Sequence, residues 1–544
     1  MRPKTLFRRD FIKTVLAGIP AVALDWASFP KGKSTQTNAY DYDAVIIGSG
    51  LGGLSCAAAF ARQGFKPLVI EQHHTPGGYA TTFKRPGGFE FDVSLHSTTV
   101  GEREGIHNLI PGFPEIKDVE FVPHHNLYRV IYPDHDIRVP MKDLPAYIKT
   151  LAGHFPEEKQ GIEEIFKDMA GLLKDINRIQ GAQGQVDMST FPKDYPFLFK
   201  VFNKTWGEML DARIKNPKCK AIISSQWGYY GLPPSKLSSF YYALPAYNYL
   251  TEGGYYPKGK SQKMSDAFVA FIEERGGRVL LRNRVEQILV KDKTAYGVRT
   301  ADGKTYTGKV VVSNANAYDT FHKMVEDKEI LKQLYARMDK FSVSISSFLI
   351  FLGLKKNLVR EVGIEDSEIF YNTGYDAEAD YEACVKADLD NLGYGLTLYD
   401  NLYKGYSPEG KNTIGIILLQ GYDHWEKYAK DYWNGNKQEY RKEKERMADI
   451  LIKKVEDTLL PGLSDSIEVI EIGTPLTNIR YTGNYRGAIY GWDQTIDNSG
   501  NRRFPNRTPI KSLYLSGAWS SPGHGYGGVL LSGLQCFAEI MKEW

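Results

Sequence analysis

The chain has 544 residues, 42% hydrophobic and 24% charged, with 4 Cys and a formal net charge of +3. At roughly 100–200 residues per domain this allows several domains or one large interleaved unit, with a core that needs no disulfide or metal staples. The charge balance argues against a nucleic-acid binder, the ordinary apolar content excludes a disordered chain, and the lack of any long apolar run excludes a polytopic membrane protein.

The first 38 residues read as an address. Phe7-Arg8-Arg9-Asp10-Phe11-Ile12-Lys13 has the pattern of a twin-arginine export signal. Residues 14–24 form an apolar stretch too short to span a bilayer as a stable helix. Cleavage candidates follow at Ala21-Val22-Ala23 and near Ala27, and residues 31–38 read as a polar linker. These 38 residues carry a net +5, which leaves −2 for the remainder of the +3 chain. The basic character therefore belongs to the signal, and the expected location is the periplasm or its membrane surface. Export by this route commonly follows cofactor loading, so a cofactor site is expected.

Residues 40–71 supply one. Asp43-Ala44-Val45-Ile46-Ile47 reads as a buried parallel strand. It runs into Gly48-Ser49-Gly50-Leu51-Gly52-Gly53, then a predicted helix over 54–63 and a strand over 67–70 that ends at Glu71-Gln72. Strand, G-x-G-x-x-G, helix, strand and acid form a dinucleotide-binding pattern. The glycines allow a tight turn and close backbone approach, the helix N-terminus favours phosphate, and Glu71 accepts ribose hydroxyls. Gly77-Gly78-Tyr79-Ala80 follows.

A helix is predicted over 264–275 and strands over 278–281, 285–290 and 309–315, with a turn at Asp302-Gly303. Near the end, 512–515 reads as a strand leading to Ser516-Gly517-Ala518, and a last helix is predicted over 530–542. Gly523, Gly525 and Gly528 repeat the G-x-G-x-x-G spacing, but the chain left after them is too short for a second dinucleotide fold.

These segments resemble the FAD enzymes of the amine-oxidase and phytoene-desaturase superfamily. Gly87 to His96, Gly228 to Ser235, Glu252 to Gly259, Val311 to Ala315 and Thr474 to Asn478 resemble in particular the retinol saturase and carotenoid isomerase group. The resemblance implies an α/β fold of the two-dinucleotide-binding-domain type (Rossmann-like, GR2-type), interleaved with an α+β substrate domain. FAD would be held by 39–110, 251–320 and 476–544, and substrate by 111–250 and 321–475. It implies that Gly77, Gly78, Tyr79 and Ala80 pass beneath the pyrophosphate and that Val285 meets the adenine. Asn314 would return toward the cofactor, Gly517 and Ala518 would reach the ribityl side, and Gly528 and Val529 the isoalloxazine. Two positions depart from the family pattern: Tyr79 stands where Arg is usual, and Lys260-Ser261 where Gly continues.

The implied activity is saturation, desaturation or redox-neutral isomerisation of an apolar isoprenoid or polyene lipid by hydride transfer at flavin N5, with a quinone as one candidate electron partner. His96, then His524 and Tyr526, are the candidate proton carriers. Two alternatives stay open: an amine-oxidase-like enzyme with an aromatic cage at Tyr526 and Trp519, and a non-catalytic flavin- or lipid-binding module. His73-His74 and His124-His125 with His135 lack metal-ligand spacing, and the four isolated Cys have no redox pattern. The basic-aromatic stretch from Phe197 to Trp206 reads as a core helix of the substrate domain, with a membrane-surface role as its alternative. Residues 342–354 read as a buried strand.

Overall fold

A computed structural model describes residues 26–32, 40–94, 96–99, 101–103, 106–110, 112–181, 186–187 and 189–544. The export pattern at 7–13, its apolar stretch and the cleavage candidate at 21–23 lie outside these residues.

Two seven-stranded sheets organise the molecule. The first begins from the apolar runs Tyr42–Ile47 and Pro67–Ile70, whose burial on both faces suits parallel pairing. Arg278–Leu280, Pro67–Ile70, Tyr42–Ile47 and Thr305–Ser313 lie side by side in parallel, and Leu513–Leu515 pairs in parallel with the last of these. Antiparallel Thr294–Thr300 and Val285–Lys291 extend the sheet. Three distant stretches of chain thus end at one edge. There Gly48 N–H donates to Ile70 O (2.8 Å), Asn314 N–H to Ile47 O (2.8 Å) and Ser516 N–H to Ser313 O (2.9 Å). The carboxyl edge of such a sheet is where open α/β folds take ligands.

The helix expected over 54–63 is Leu51–Arg62, because the glycine turn leads straight into it from an N-cap at Gly50. The last helix, expected over 530–542, is Tyr526–Met541. Tertiary packing overrides the poor helix propensity of these glycines. The two helices cross closely: a Cβ on Gly533 would lie 2.4 Å from Gly52 O. The mid-chain helix is Lys260–Glu273 and starts at a left-handed Lys260 (φ +67°), a conformation that glycine adopts more readily. Its buried ammonium donates to Tyr406 O at 2.9 Å.

The second sheet runs Ile467–Gly473, Ser346–Leu354, Asn412–Gln420, Tyr394–Thr397, Glu368–Tyr371, Asn126–Tyr132 and His135–Pro140. It is antiparallel except between Glu368–Tyr371 and Asn126–Tyr132. The strand expected over 342–354 is Ser346–Leu354, buried along its whole length. Helices Lys159–Gly181 and Ser239–Glu252 carry a separate apolar core beside this sheet.

Two expectations change. The single helix expected from Phe197 to Trp206 divides into Pro196–Val201 and the start of Trp206–Asp211; Leu198, Val201 and Trp206 are buried, while Phe199 is 57% exposed. Trp26, expected within the signal and linker, packs on Phe113 and Phe537, and the Arg62 guanidinium lies 4.2 Å over its ring. Gln63 Nε2 donates to Trp26 O (3.1 Å), which ties this segment to the end of the first helix. Among the described residues no helix is long and apolar enough to cross a membrane.

Candidate active site

A cavity of about 1690 Å³ runs from the carboxyl edge of the first sheet to the second sheet. Single small-molecule sites usually occupy about 300–1,000 Å³, so this one has room for a dinucleotide and a second ligand. Gly48, Gly50, Gly52, Glu71, Gln72, Gly77, Gly78, Tyr79, Ala80, Val285, Asn314, Gly517, Ala518, Gly528 and Val529 line it. His96, His524 and Tyr526 do too. Ser49 and Gly53, expected to contact cofactor, are not among its lining residues.

Ser49 is buried behind the wall, where its N–H and Oγ each donate to Glu71 Oε2 at 2.8 Å. His73 N–H donates to Glu71 Oε1 at 2.8 Å. Ser49 therefore aims the acid. Gly53 serves packing: a Cβ there would sit 2.2 Å from Gly48 O, at the turn where Gly48 has φ +90°. The space left by Gly50 and Gly52 is filled by the Asn314 amide, since a Cβ on either would lie 2.7 Å from it. Both helix N-termini at the cavity, behind Gly50 and Gly525, lack a side-chain cap. Uncapped N–H groups and a helix dipole suit phosphate, and a fixed carboxylate suits ribose, so the residues fit a dinucleotide flavin.

Tyr79 brings no cation to the position where the resemblance expected Arg. Its hydroxyl is buried beside the Thr482 and Asn484 side chains, and burial pushes its pKa up to about 12. Its carbonyl accepts from Ser94 Oγ (3.0 Å) and Tyr526 Oη (3.4 Å).

The terminal loop is organised by Arg503, which sequence reasoning missed. This guanidinium is 1% exposed and donates to Trp492 O (2.9 Å) and Ala518 O (2.6 Å). Burial brings its pKa down to about 10. Burial, with help from Arg503, also holds the His524 pKa well below the usual imidazole range. His524 is thus a neutral ring, packed 4.3 Å from Tyr490 and 5.3 Å from Tyr241, and a poor proton source. Tyr526 is a poor one too: burial pushes its pKa well up, and its hydroxyl already serves Tyr79. Trp519 donates from Nε1 to Asn484 Oδ1 (3.1 Å) and packs on Trp492. Trp519 and Tyr526 both line the cavity.

His96 differs. Its Nδ1 lies 3.6 Å from Oε1 of Glu368, an ion-pair separation, and its ring packs on Tyr229 at 5.4 Å. Glu368 is 1% exposed and accepts from Tyr399 Oη (2.8 Å) and Tyr229 Oη (3.0 Å). Burial opposes its charge, but the His96 and His124 rings and the Tyr399 hydroxyl more than offset this, so its pKa lies below the usual glutamate value. Ser97, Tyr249 and Gln226 also line the cavity wall, and the Tyr249 hydroxyl lies beside the Ser97 and Tyr229 hydroxyls. The sequence signal for Glu368 was a single acid opening an otherwise apolar strand, Glu368–Tyr371.

Residues 51–541 match the family described as flavin containing amine oxidoreductase. The chain is 28% identical over 538 residues to an all-trans-retinol 13,14-reductase of Danio rerio, covering 92% of this chain and 86% of that one. It is 28% identical over 536 residues to a chloroplastic prolycopene isomerase 1 of an Oncidium hybrid cultivar, covering 96% and 87%. Among solved structures, an oxidoreductase from Methanosarcina mazei aligns with a TM-score of 0.58 at 16% identity, over 92% of this chain and 100% of that one. A putrescine oxidase bound to putrescine aligns at 0.60 and 14%, over 92% and 99%. These likenesses agree with the α/β fold derived above, and the chain belongs to the flavin-containing amine oxidoreductase family.

Proposed function

We propose that the protein is an FAD-dependent oxidoreductase acting on C=C or C–C bonds of an apolar isoprenoid or polyene lipid. The observation that carries this reading is the continuity of one cavity, from the glycine edge to a chamber walled by Trp227, Tyr229, Phe240, Leu244 and Phe370. An apolar wall takes up a lipid chain by removing it from water. Bound FAD supplies hydride transfer at N5. Glu71 holds the ribose, and the amides opening the helix Leu51–Arg62 hold the pyrophosphate. The 77–80 loop and the segment from Gly517 to Val529 close around the rest. His96 lines the chamber as the candidate proton carrier. The named activities of the relatives, retinol reduction and prolycopene isomerisation, support this substrate class.

The twin-arginine pattern supports export to the periplasm, where nicotinamide cofactors are scarce and a quinone suits the role of electron partner. The exposed Phe199, which follows the buried Leu198, supports a contact with the lipid surface that holds such substrates.

The test is anaerobic. Purified protein should be yellow, and after reduction all-trans-retinol or a carotenoid should reoxidise it. The product mass then separates a change of two hydrogens from isomerisation. A colourless protein that takes up no added FAD defeats the reading.

A further inference from the structure

We infer that Glu368 is a positioning residue that fixes the His96 ring for proton exchange with substrate in the cavity. The inference rests on the hydride chemistry proposed above. It starts from a buried charge. A carboxylate at 1% exposure is costly unless partnered. Among the described residues no lysine or arginine pairs with Glu368; its single ion pair is with His96.

The other groups around Glu368 are poor proton carriers at neutral pH. Burial and the nearby carboxylate push the phenols of Tyr229, Tyr249 and Tyr399 well above their usual range. Burial pushes Tyr128 up to about 12. Burial also holds His124 below the usual imidazole range, and its Nδ1 is engaged by Ser367 Oγ at 2.7 Å. His96 remains, with one ring nitrogen toward the carboxylate and its ring on the cavity wall. Two tyrosines grip Glu368 from different segments, so the carboxylate is itself held still. The carboxylate faces Nδ1 at 3.6 Å; closing that gap by a few tenths of an ångström on substrate binding makes the hydrogen bond that selects the tautomer and leaves Nε2 to act, the logic of an acid–His pair.

In saturation the Nε2–H bond of His96 breaks and a C–H bond forms with the π electron pair of one C=C. The hydride that completes the addition comes from reduced flavin, which becomes oxidised. His96 is left neutral, with its remaining proton on Nδ1 toward Glu368. Desaturation runs the same transfers backward.

The experiment uses the holoprotein and the variants Glu368→Gln, Glu368→Asp, His96→Gln and the double variant Glu368→Gln/His96→Gln. Flavin content and melting temperature report folding. Single-turnover reoxidation by polyene is followed across pH, and ¹⁵N NMR of labelled histidine reads the tautomer of His96. Glu368→Gln should keep flavin, slow turnover about 100-fold and alter the pH profile as His96→Gln does. The double variant should be no slower than the slower single one, and Glu368→Asp should recover part of the rate. In the wild type the neutral His96 ring should carry its proton on Nδ1, a preference that Glu368→Gln abolishes. Additive effects, an unchanged pH profile or an unchanged ¹⁵N pattern would overturn the inference. If Glu368→Gln does not fold, Glu368→Asp and Tyr399→Phe take its place in the same measurements, with smaller losses of the same kind expected. If wild-type protein turns over no polyene, the functional reading fails, while the tautomer measurement still decides the pair.

Discussion

The two ends of the cavity are built by different means. At the sheet edge the wall is mostly backbone: glycines, uncapped helix N–H groups and one carboxylate held by Ser49. In the chamber it is side chain: aromatic rings around His96 and the buried Glu368. Backbone recognition is specified locally, by residues a few positions apart that must adopt a given turn. The chamber is specified by contacts between residues far apart in the chain, since Glu368 meets residues 96, 229 and 399 on separate elements. The first wall therefore tolerates almost no change at its glycines, and the second should tolerate changes that leave its charges paired.

The hardest test of that contrast is Gly53→Ala. The new Cβ would lie 2.2 Å from Gly48 O, a backbone atom that cannot swing aside. Overpacking of this kind costs about 3 kcal/mol. Because it would distort the turn that Gly48 makes, purified protein should lose most of its flavin absorbance. Protein that retains full flavin would show that the edge is softer than argued. Glu71→Ala should act less severely. It removes the acceptor for Ser49 N–H and His73 N–H and the expected ribose contact, about 1.5–3 kcal/mol for charge-assisted bonds. Flavin affinity should fall tenfold or more in titrations of the flavin-free protein.

This contrast also explains what the sequence could reveal. The strands at 42–47, 67–70, 278–280 and 513–515 and the glycine turn are legible because apolar runs and tight turns are local features. The helix starts at Leu51 and Tyr526 are less so, because glycines inside these helices are there for close packing and look like loop residues. Trp26 reads as part of an export signal until its rings and carbonyl are seen to join the core. Glu368 and Arg503 are illegible for a deeper reason. A single acid or arginine has no pattern, and its meaning comes from partners that only the folded chain assembles.

A pH experiment sharpens the same comparison with a smaller effect. His524 and His124 are buried with their pKa values held below the usual range, mainly by burial. In the unfolded chain each titrates near about 6.5. As pH falls through that value the unfolded chain takes up protons that the native rings resist, so native stability declines with acidification. The loss reaches at most about 1.4 kcal/mol per pH unit for each ring. Melting temperature should therefore fall between neutral and mildly acidic pH, and His524→Phe should flatten that slope. A variant with the wild-type slope would mean that the ring at 524 takes up protons in the native state.

The smallest effect is expected at Tyr79, and it addresses whether side chain or backbone acts at the phosphate loop. The Tyr79 hydroxyl is buried beside the Thr482 and Asn484 side chains, whereas its carbonyl receives Ser94 Oγ and Tyr526 Oη. Only neutral contacts to the Thr482 and Asn484 side chains are at stake, so Tyr79→Phe should change stability by about 1 kcal/mol or less. Flavin affinity should stay within about threefold, which is under 1 kcal/mol. A large loss would mean that the phenol itself meets the cofactor and that the edge is not built from backbone alone at this point. Retained affinity would leave backbone N–H groups, not a side chain, as the working donors at this loop, which is how a chain without an arginine here can still hold a doubly charged pyrophosphate.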